Sequence, residues 1–284
     1  MRRLSADMPA PFSLWICPAC KSPLLPVDNT WRCVNHHSYD RAREGYVNLL
    51  LANQKHSRDP GDNRRMMDAR RQFLEQGFYA PLRSAIASMI AELACGDSLS
   101  LYDAGCGEGY FLNGIAKDLG QLGLAVTARG TDVSRPAIRM AARKYRQCNF
   151  AVASNFDLPV AAASQGFLLQ NFAPADPAEV GRVLASGGFW VQVRPGPKHL
   201  FRLREALYPE GEPHVLDASL PAGFTLQQEQ SLQFYFHLPH SSALEQLVQM
   251  TPYAWTGGSR NWSGQAEHLM TMGVDFSIRV MRKT

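Results

Sequence analysis

Asp103-Ala104-Gly105-Cys106-Gly107-Glu108-Gly109 is the stretch that decides the fold. It follows an apolar run, Ser98–Ala104, that reads as a buried strand, and it opens onto Tyr110–Leu119, which reads as a helix. Glycines between a strand and a helix permit a tight turn and let backbone approach a ligand closely. The spacing is G-x-G-x-G with an acid at the strand's end, so the third glycine comes one residue earlier than in the dinucleotide fingerprint G-x-G-x-x-G. Outward from this loop the alternation continues. Leu124–Gly130 predicts a strand, Ser134–Tyr145 a helix, Asn149–Ala153 and Gly166–Phe172 strands, Pro177–Leu184 a helix and Gly188–Val193 another strand. Such alternation predicts an α/β fold with a parallel, doubly wound sheet.

Beyond Pro195, the pattern predicts a helix at His199–Leu207, strands at Phe224–Gln230 and Gln233–Leu238, a helix at Ser242–Met250 and a final strand at Phe276–Met281. Upstream, Arg64–Gln76 has helical periodicity through Met67, Phe73 and Leu74 and stops at Gly77. A second helix is expected from Pro81 to Ala94, with Leu82, Ile86, Met89, Ile90 and Leu93 on one face. Residues 41–62 are polar and irregular, ending in the breaker cluster Asp59-Pro60-Gly61-Asp62, and residues 1–11 read as a loose tail. The expected organisation is a tail and metal module at 1–40, a linker with helices at 41–97, and the α/β domain at 98–284.

The metal module rests on spacing. Cys17-x2-Cys20, twelve residues, then Cys33-x3-His37 places three thiolates and an imidazole on two tight turns. Four such ligands suit tetrahedral Zn²⁺ and fill its shell, leaving no position for an activated water, so the metal is expected to be structural. His36 competes with His37 as the fourth ligand. Residues 12–40 are too few to build a core, which makes a metal staple plausible physically. The other cysteines, Cys95, Cys106 and Cys148, are scattered through core-like segments, a pattern of a reducing compartment and not of a disulfide framework.

Bulk numbers set the limits. The chain has 284 residues, 45% of them apolar, enough for one large domain and a small one. No apolar core follows Met1-Arg2-Arg3, and no run reaches membrane-spanning length, so a cytoplasmic protein without membrane contact is expected. A net charge of +4 permits a polyanionic partner without demanding one.

The glycine loop resembles motif I of class I (Rossmann-like) S-adenosylmethionine-dependent methyltransferases, in which it meets an amino acid and a nucleoside. Asp132 ends the next strand, where a carboxylate can accept from both ribose hydroxyls, and Asn155 follows the third strand, where an adenine-edge contact is usual. Asp103 and Asn155 taken singly could equally be turn or capping residues. The joint spacing carries the reading.

The whole chain from about residue 16 closely resembles the RlmA (RrmA) family of bacterial 23S ribosomal RNA guanine-N1 methyltransferases. The stretches that carry this are Cys17-Pro18-Ala19-Cys20, Glu44-Gly45-Tyr46-Val47-Asn48-Leu49-Leu50, Ser57-Arg58-Asp59-Pro60-Gly61-Asp62 and Ala69-Arg70-Arg71-Gln72-Phe73-Leu74. Motif I, Pro195-Gly196-Pro197-Lys198-His199-Leu200 and Gln249-Met250-Thr251-Pro252-Tyr253-Ala254-Trp255 complete it. The resemblance implies S-adenosylmethionine against Gly105, Gly107 and Glu108, with Tyr79 and His199 as further contacts. From the residues alone, Tyr79 could pack a helix junction and His199 could face solvent. The resemblance also implies a hairpin of 23S ribosomal RNA as substrate and a homodimer whose zinc modules flank an RNA cleft. The segment Gln165–Pro174 departs from the family, with glycine at 166 in place of Asp and Gln170-Asn171 in place of a more basic pair.

Guanine N1 is a poor nucleophile while protonated, so a base or a contact to O6 is required. No residue is assigned that task; Asn171 is the one catalytic candidate, orienting the base, unless it merely ends the strand. Lacking Asn-Pro-Pro-aromatic and catalytic cysteine-pair motifs, the chain favours a ring nitrogen. Nine cations in residues 41–83 (Arg41, Arg43, Lys55, Arg58, Arg64, Arg65, Arg70, Arg71, Arg83) face five acids, a surplus that could neutralise phosphates or form a solvated face. Trp15, Trp31 and Tyr39 could stack bases or form the module's core. A small-molecule methyltransferase and a non-catalytic RNA-binding protein with a degenerate pocket are the competing functions.

Overall fold

The computed structural model describes residues 14–54, 63–208, 214–251 and 263–284. The tail 1–11, Lys55, the stretch Ser57–Asp62 with Arg58 and the breaker cluster, and Pro252–Trp255 lie outside the described residues.

Four short antiparallel strands come first: β1 (Trp15–Ile16), β2 (Pro23–Val27), β3 (Thr30–Arg32) and β4 (Ser38–Asp40). The large sheet then draws on β5 (Val47–Asn48), β6 (Ser98–Ala104), β7 (Ala125–Asp132), β8 (Asn149–Val152), β9 (Gln165–Asn171), β10 (Leu184–Pro195), β11 (Phe224–His237) and β12 (Thr271–Lys283). Its order is β5-β8-β7-β6-β9-β10-β12-β11, with β12 antiparallel to both neighbours and the strands from β5 to β10 parallel. The expected doubly wound sheet is present. Two details differ from expectation. The polar stretch 41–62 contains β5, which pairs with β8, and its Tyr46, Val47, Leu49 and Leu50 are buried. The two strands expected at Phe224–Gln230 and Gln233–Leu238 are one: Ser231 and Leu232 continue the pairing to β12 along an edge strand, with a register shift between Leu226 and Gln228.

The helices are α1 (Arg64–Glu75), α2 (Ala80–Leu93), α3 (Tyr110–Gln121), α4 (Arg135–Lys144), α5 (Pro177–Val183), α6 (Phe201–Leu207) and α7 (Ser241–Met250). Strand residues alternate between two cores, as a two-residue period requires. Leu101, Phe167, Leu169 and Val191 pack under α1–α4, α6 and α7. Tyr102, Leu168 and Trp190 point the other way, toward α5 and the small N-terminal sheet. Capping fixes several helix starts: Asn63 accepts from Met66 N, Ser134 from Ala137 N and Asp176 from Ala178 N.

The small sheet has no core of its own. Trp15 and Leu24 are buried in the second core beside Leu158, Val160 and Tyr102. Ile16 N donates to Pro159 O at 2.8 Å, and Lys21 pairs with Asp157. Trp15 is therefore core, not a base-stacking surface, because a side chain 2% exposed has no free face. Among the described residues, no helix is long and apolar enough to cross a membrane.

Candidate active site and metal centre

Two turns converge on a metal site. Cys17, Cys20, Cys33 and His37 place one ligand atom each within 4.8 Å of one another. The separations Cys17 Sγ–His37 Nδ1, Cys33 Sγ–His37 Nδ1 and Cys20 Sγ–Cys33 Sγ are 3.5, 3.4 and 3.6 Å. A tetrahedron with zinc–sulfur bonds near 2.3 Å has edges of roughly 3.8 Å, so this donor set fits zinc. Lys21 and His36 stand in the left-handed region at φ 60° and 61°, one in each turn. His36 thus forms the turn that aims His37, which settles the choice between the two histidines. The Tyr39 hydroxyl lies 3.2 Å from Cys17 Sγ and supports that ligand from outside the shell, a role beside the base stacking or core packing considered for it from sequence.

The second site is built on the C-terminal ends of the parallel strands. Gly105 N and Cys106 N both donate to Thr131 O, at 2.8 and 2.9 Å, which ties the glycine loop to β7. Gly105 adopts φ +86°, and a Cβ there would lie 2.4 Å from Ala173 Cβ and 3.0 Å from Asn155 Nδ2. Only glycine fits. Asp132 Oδ2 accepts from Gly107 N at 2.9 Å and Oδ1 from Ser134 N at 2.8 Å, so this carboxylate sits at the loop's crown.

Three acceptors around the loop are buried without a partner: Asp103 Oδ1, Glu108 Oε2 and Asn155 Oδ1. Burial, with Asp132 and Glu108 nearby, pushes the Asp103 carboxyl up to about 8. Burial likewise pushes Glu108 up to about 7, against the pull of its bond from Tyr110 N and of Arg70. Carboxylates so close together repel, and a cation or several N–H and O–H donors would relieve them. A phosphate would not. The donor–acceptor chemistry therefore fits S-adenosylmethionine, whose ammonium, sulfonium and ribose hydroxyls supply positive charge and donors.

Tyr79 and His199 come together, ring centroids 6.5 Å apart, in a cluster with Phe276. Both are buried, so neither faces solvent, and α6 begins only at Phe201, after His199. His199 Nδ1 lies 3.1 Å from Asp275 O, and burial holds the imidazole down to about 3. A neutral ring keeps positive charge away from a cationic ligand. Asn171 ends β9 with its Oδ1 buried and unpartnered.

Two residues near the site take places that the sequence did not foretell. Arg70 was counted among phosphate-binding cations, yet it donates to Met250 O at 3.2 Å and lies beside Gly107. Phe172, just past β9, takes φ +56°, and no sequence signal marks a phenylalanine for that conformation. Several of the described linker cations are engaged in ion pairs. Arg64 and Arg71 pair with Asp68, and Arg83 with Asp118 at 2.8 Å, while Arg43 and Arg65 stay exposed.

Comparison with known proteins follows the same division. Residues 15–58 match a family model described as "RlmA, N-terminal", which covers the metal module. A Streptomyces fradiae protein named 23S rRNA (guanine(748)-N(1))-methyltransferase is 35% identical over 249 residues, 84% of this chain and 85% of that protein. The chain belongs to the RlmA family of 23S ribosomal RNA guanine-N1 methyltransferases. A Micromonospora griseorubida relative, provisionally named 23S rRNA (guanine-N(1)-)-methyltransferase, is 34% identical over 84% of this chain and 86% of its own length. YxjB of Bacillus subtilis, provisionally named in the same way, is 29% identical over 86% of this chain and 88% of its own. The family-model match lies on the ribbon, and the match to the relatives spans most of the chain.

Proposed function

We propose that this chain transfers a methyl group from S-adenosylmethionine to N1 of a guanine in a hairpin loop of 23S ribosomal RNA. The observation that carries the reading is the group of buried acceptors without partners at the glycine loop, on a chain whose relatives are named as 23S rRNA guanine-N1 methyltransferases. Asp132, Gly105, Gly107 and Asn155 hold the nucleoside end in this reading, and Asp103 and Glu108 face the cationic end. Tyr79 and His199 close the pocket with apolar surface and a neutral imidazole. The cofactor supplies an electrophilic methyl group, so the chain's task is to align it with N1 and exclude water. The N1 proton must leave before or during attack, and Asn171 is proposed to orient the base while it does.

A loop guanine is reached only when splayed from its stack. The zinc ribbon and the exposed cations Arg43 and Arg65 are proposed to grip the surrounding phosphates. Zinc does no chemistry here, since four protein ligands fill its shell. We further propose a cytoplasmic homodimer with a ribbon on either side of the RNA. Incubation of 23S rRNA lacking the modification with tritiated S-adenosylmethionine, followed by nucleoside mapping, tests the activity. Label in 1-methylguanosine is expected; label absent from rRNA, or found on another atom, would sink the proposal.

A further inference from the structure

Phe172 adopts a backbone conformation that a bulky side chain avoids, and packing does not explain it. At φ +56° it is in the left-handed region, which persists for such residues only where the surroundings enforce it, most often at functional sites. Phe172 N donates to Val193 O at 3.2 Å and Gln170 Nε2 to Ala173 O at 2.5 Å, so the turn is held on both sides. Yet the residue stays 45% exposed. Its ring meets His199 and Phe276, both at 5.8 Å between centroids.

Its place in the sheet says what the ring is for. The acceptors facing the cofactor hang from the ends of β6, β7 and β8, and β9 begins the other half of the sheet, across the point where strand order reverses. The turn after β9 nevertheless reaches the glycine loop, since Ala173 would collide with a side chain on Gly105. The residue before it, Asn171, buries an acceptor with no partner. An exposed aromatic face, a nearby free acceptor and contact with the methyl donor's loop together describe a slot for a flat ring carrying N–H donors.

Resting on the activity proposed above, we infer that Phe172 is the platform on which the extruded target guanine stacks. The strained turn turns the ring toward the crevice, and the guanine's Watson–Crick edge then faces the cofactor side. The experiment compares the full-length wild-type chain with Phe172→Ala, Phe172→Gly and Phe172→Trp on unmodified 23S rRNA, with cofactor affinity and Tm measured in parallel. Loss of a base stack predicts that kcat/KM for RNA falls roughly 10- to 100-fold in the alanine and glycine variants and is largely restored in the tryptophan variant. The cofactor Kd is expected to stay unchanged. Phe172→Gly is expected to keep or raise Tm, because glycine adopts this φ freely. Equal labelling by the wild-type and glycine variants, or a cofactor Kd that weakens as far as RNA turnover, overturns the platform alone. No label with the wild-type chain overturns the underlying activity and the platform with it.

Discussion

Replacing Gly105 with alanine tests the geometry on which the cofactor site depends. The new Cβ would lie 2.4 Å from Ala173 Cβ and 3.0 Å from Asn155 Nδ2, while the backbone stays at φ +86°. The conformational part of the cost is about 1–2 kcal/mol. The steric part, from overpacking two backbone-anchored neighbours, is about 1–3 kcal/mol. Together they predict a loss of roughly 2–5 kcal/mol, or a fall in Tm of roughly 3–9 °C for a chain of this size. Because Asn155 is one of the two groups displaced, cofactor affinity should fall roughly tenfold or more. Thermal melts and titration calorimetry give both numbers. The double variant Gly105→Ala with Ala173→Gly removes the closest contact but leaves φ, so about 1–3 kcal/mol should return. A single variant that melts within a degree of wild type, or a double variant no more stable than the single, would refute the steric argument.

Asp132→Ala removes the acceptor for Gly107 N and Ser134 N and should weaken cofactor binding by about 1.5–3 kcal/mol; calorimetry showing an unchanged Kd rejects the assignment. Cys20→Ser, or prolonged chelation, should release zinc and lower both stability and RNA affinity. Because the ribbon rests on the loop that follows Asn155, through Ile16 N to Pro159 O and Lys21 to Asp157, cofactor affinity should fall in that variant as well, and zinc loss with both affinities intact would count against the docking role. The pH dependence has a fixed sign. Asp103 and Glu108 titrate near 8 and 7 when folded, above the ordinary carboxylate range near 4. The native state therefore binds more protons than the unfolded chain between those values, and the contribution of these groups to stability falls as pH rises through the window. A cationic cofactor needs the ionised forms, so its affinity should rise from pH 6 to 8.5 with proton release on binding; calorimetry showing a flat or falling profile would refute this.

How much could be read without coordinates depends on the range of the interaction. The glycine loop, its acid and the ligand spacing are local, because a tight turn is dictated by the few residues that make it. Strand–helix alternation is likewise a local pattern, and every strand of the large sheet but β5 was marked by it. The misreadings share a cause. Val47–Asn48 is too short to show periodicity, and its pairing with β8 bridges more than a hundred residues of sequence. The two strands read on either side of Ser231 and Leu232 are one, because these residues pair with Ser277 and Phe276 of β12, a contact that no local composition reveals.

By itself the sequence determined the chemistry on offer: three thiolates and an imidazole for zinc, a glycine turn ringed by carboxylates, and a doubly wound sheet to carry them. Tertiary structure decided which of those groups act together. It chose His37 over His36, because one of the two had to make the left-handed turn. It took Trp15 into a core shared with the sheet, because a small ribbon cannot bury an indole alone. Partners distant in the chain, the Met250 carbonyl and Asp118, took Arg70 and Arg83, and β9 was brought against the glycine loop with Phe172 held outward. Each of these turns on packing between residues far apart in sequence, where exclusion of volume and burial of charge select among options that the local pattern leaves equal.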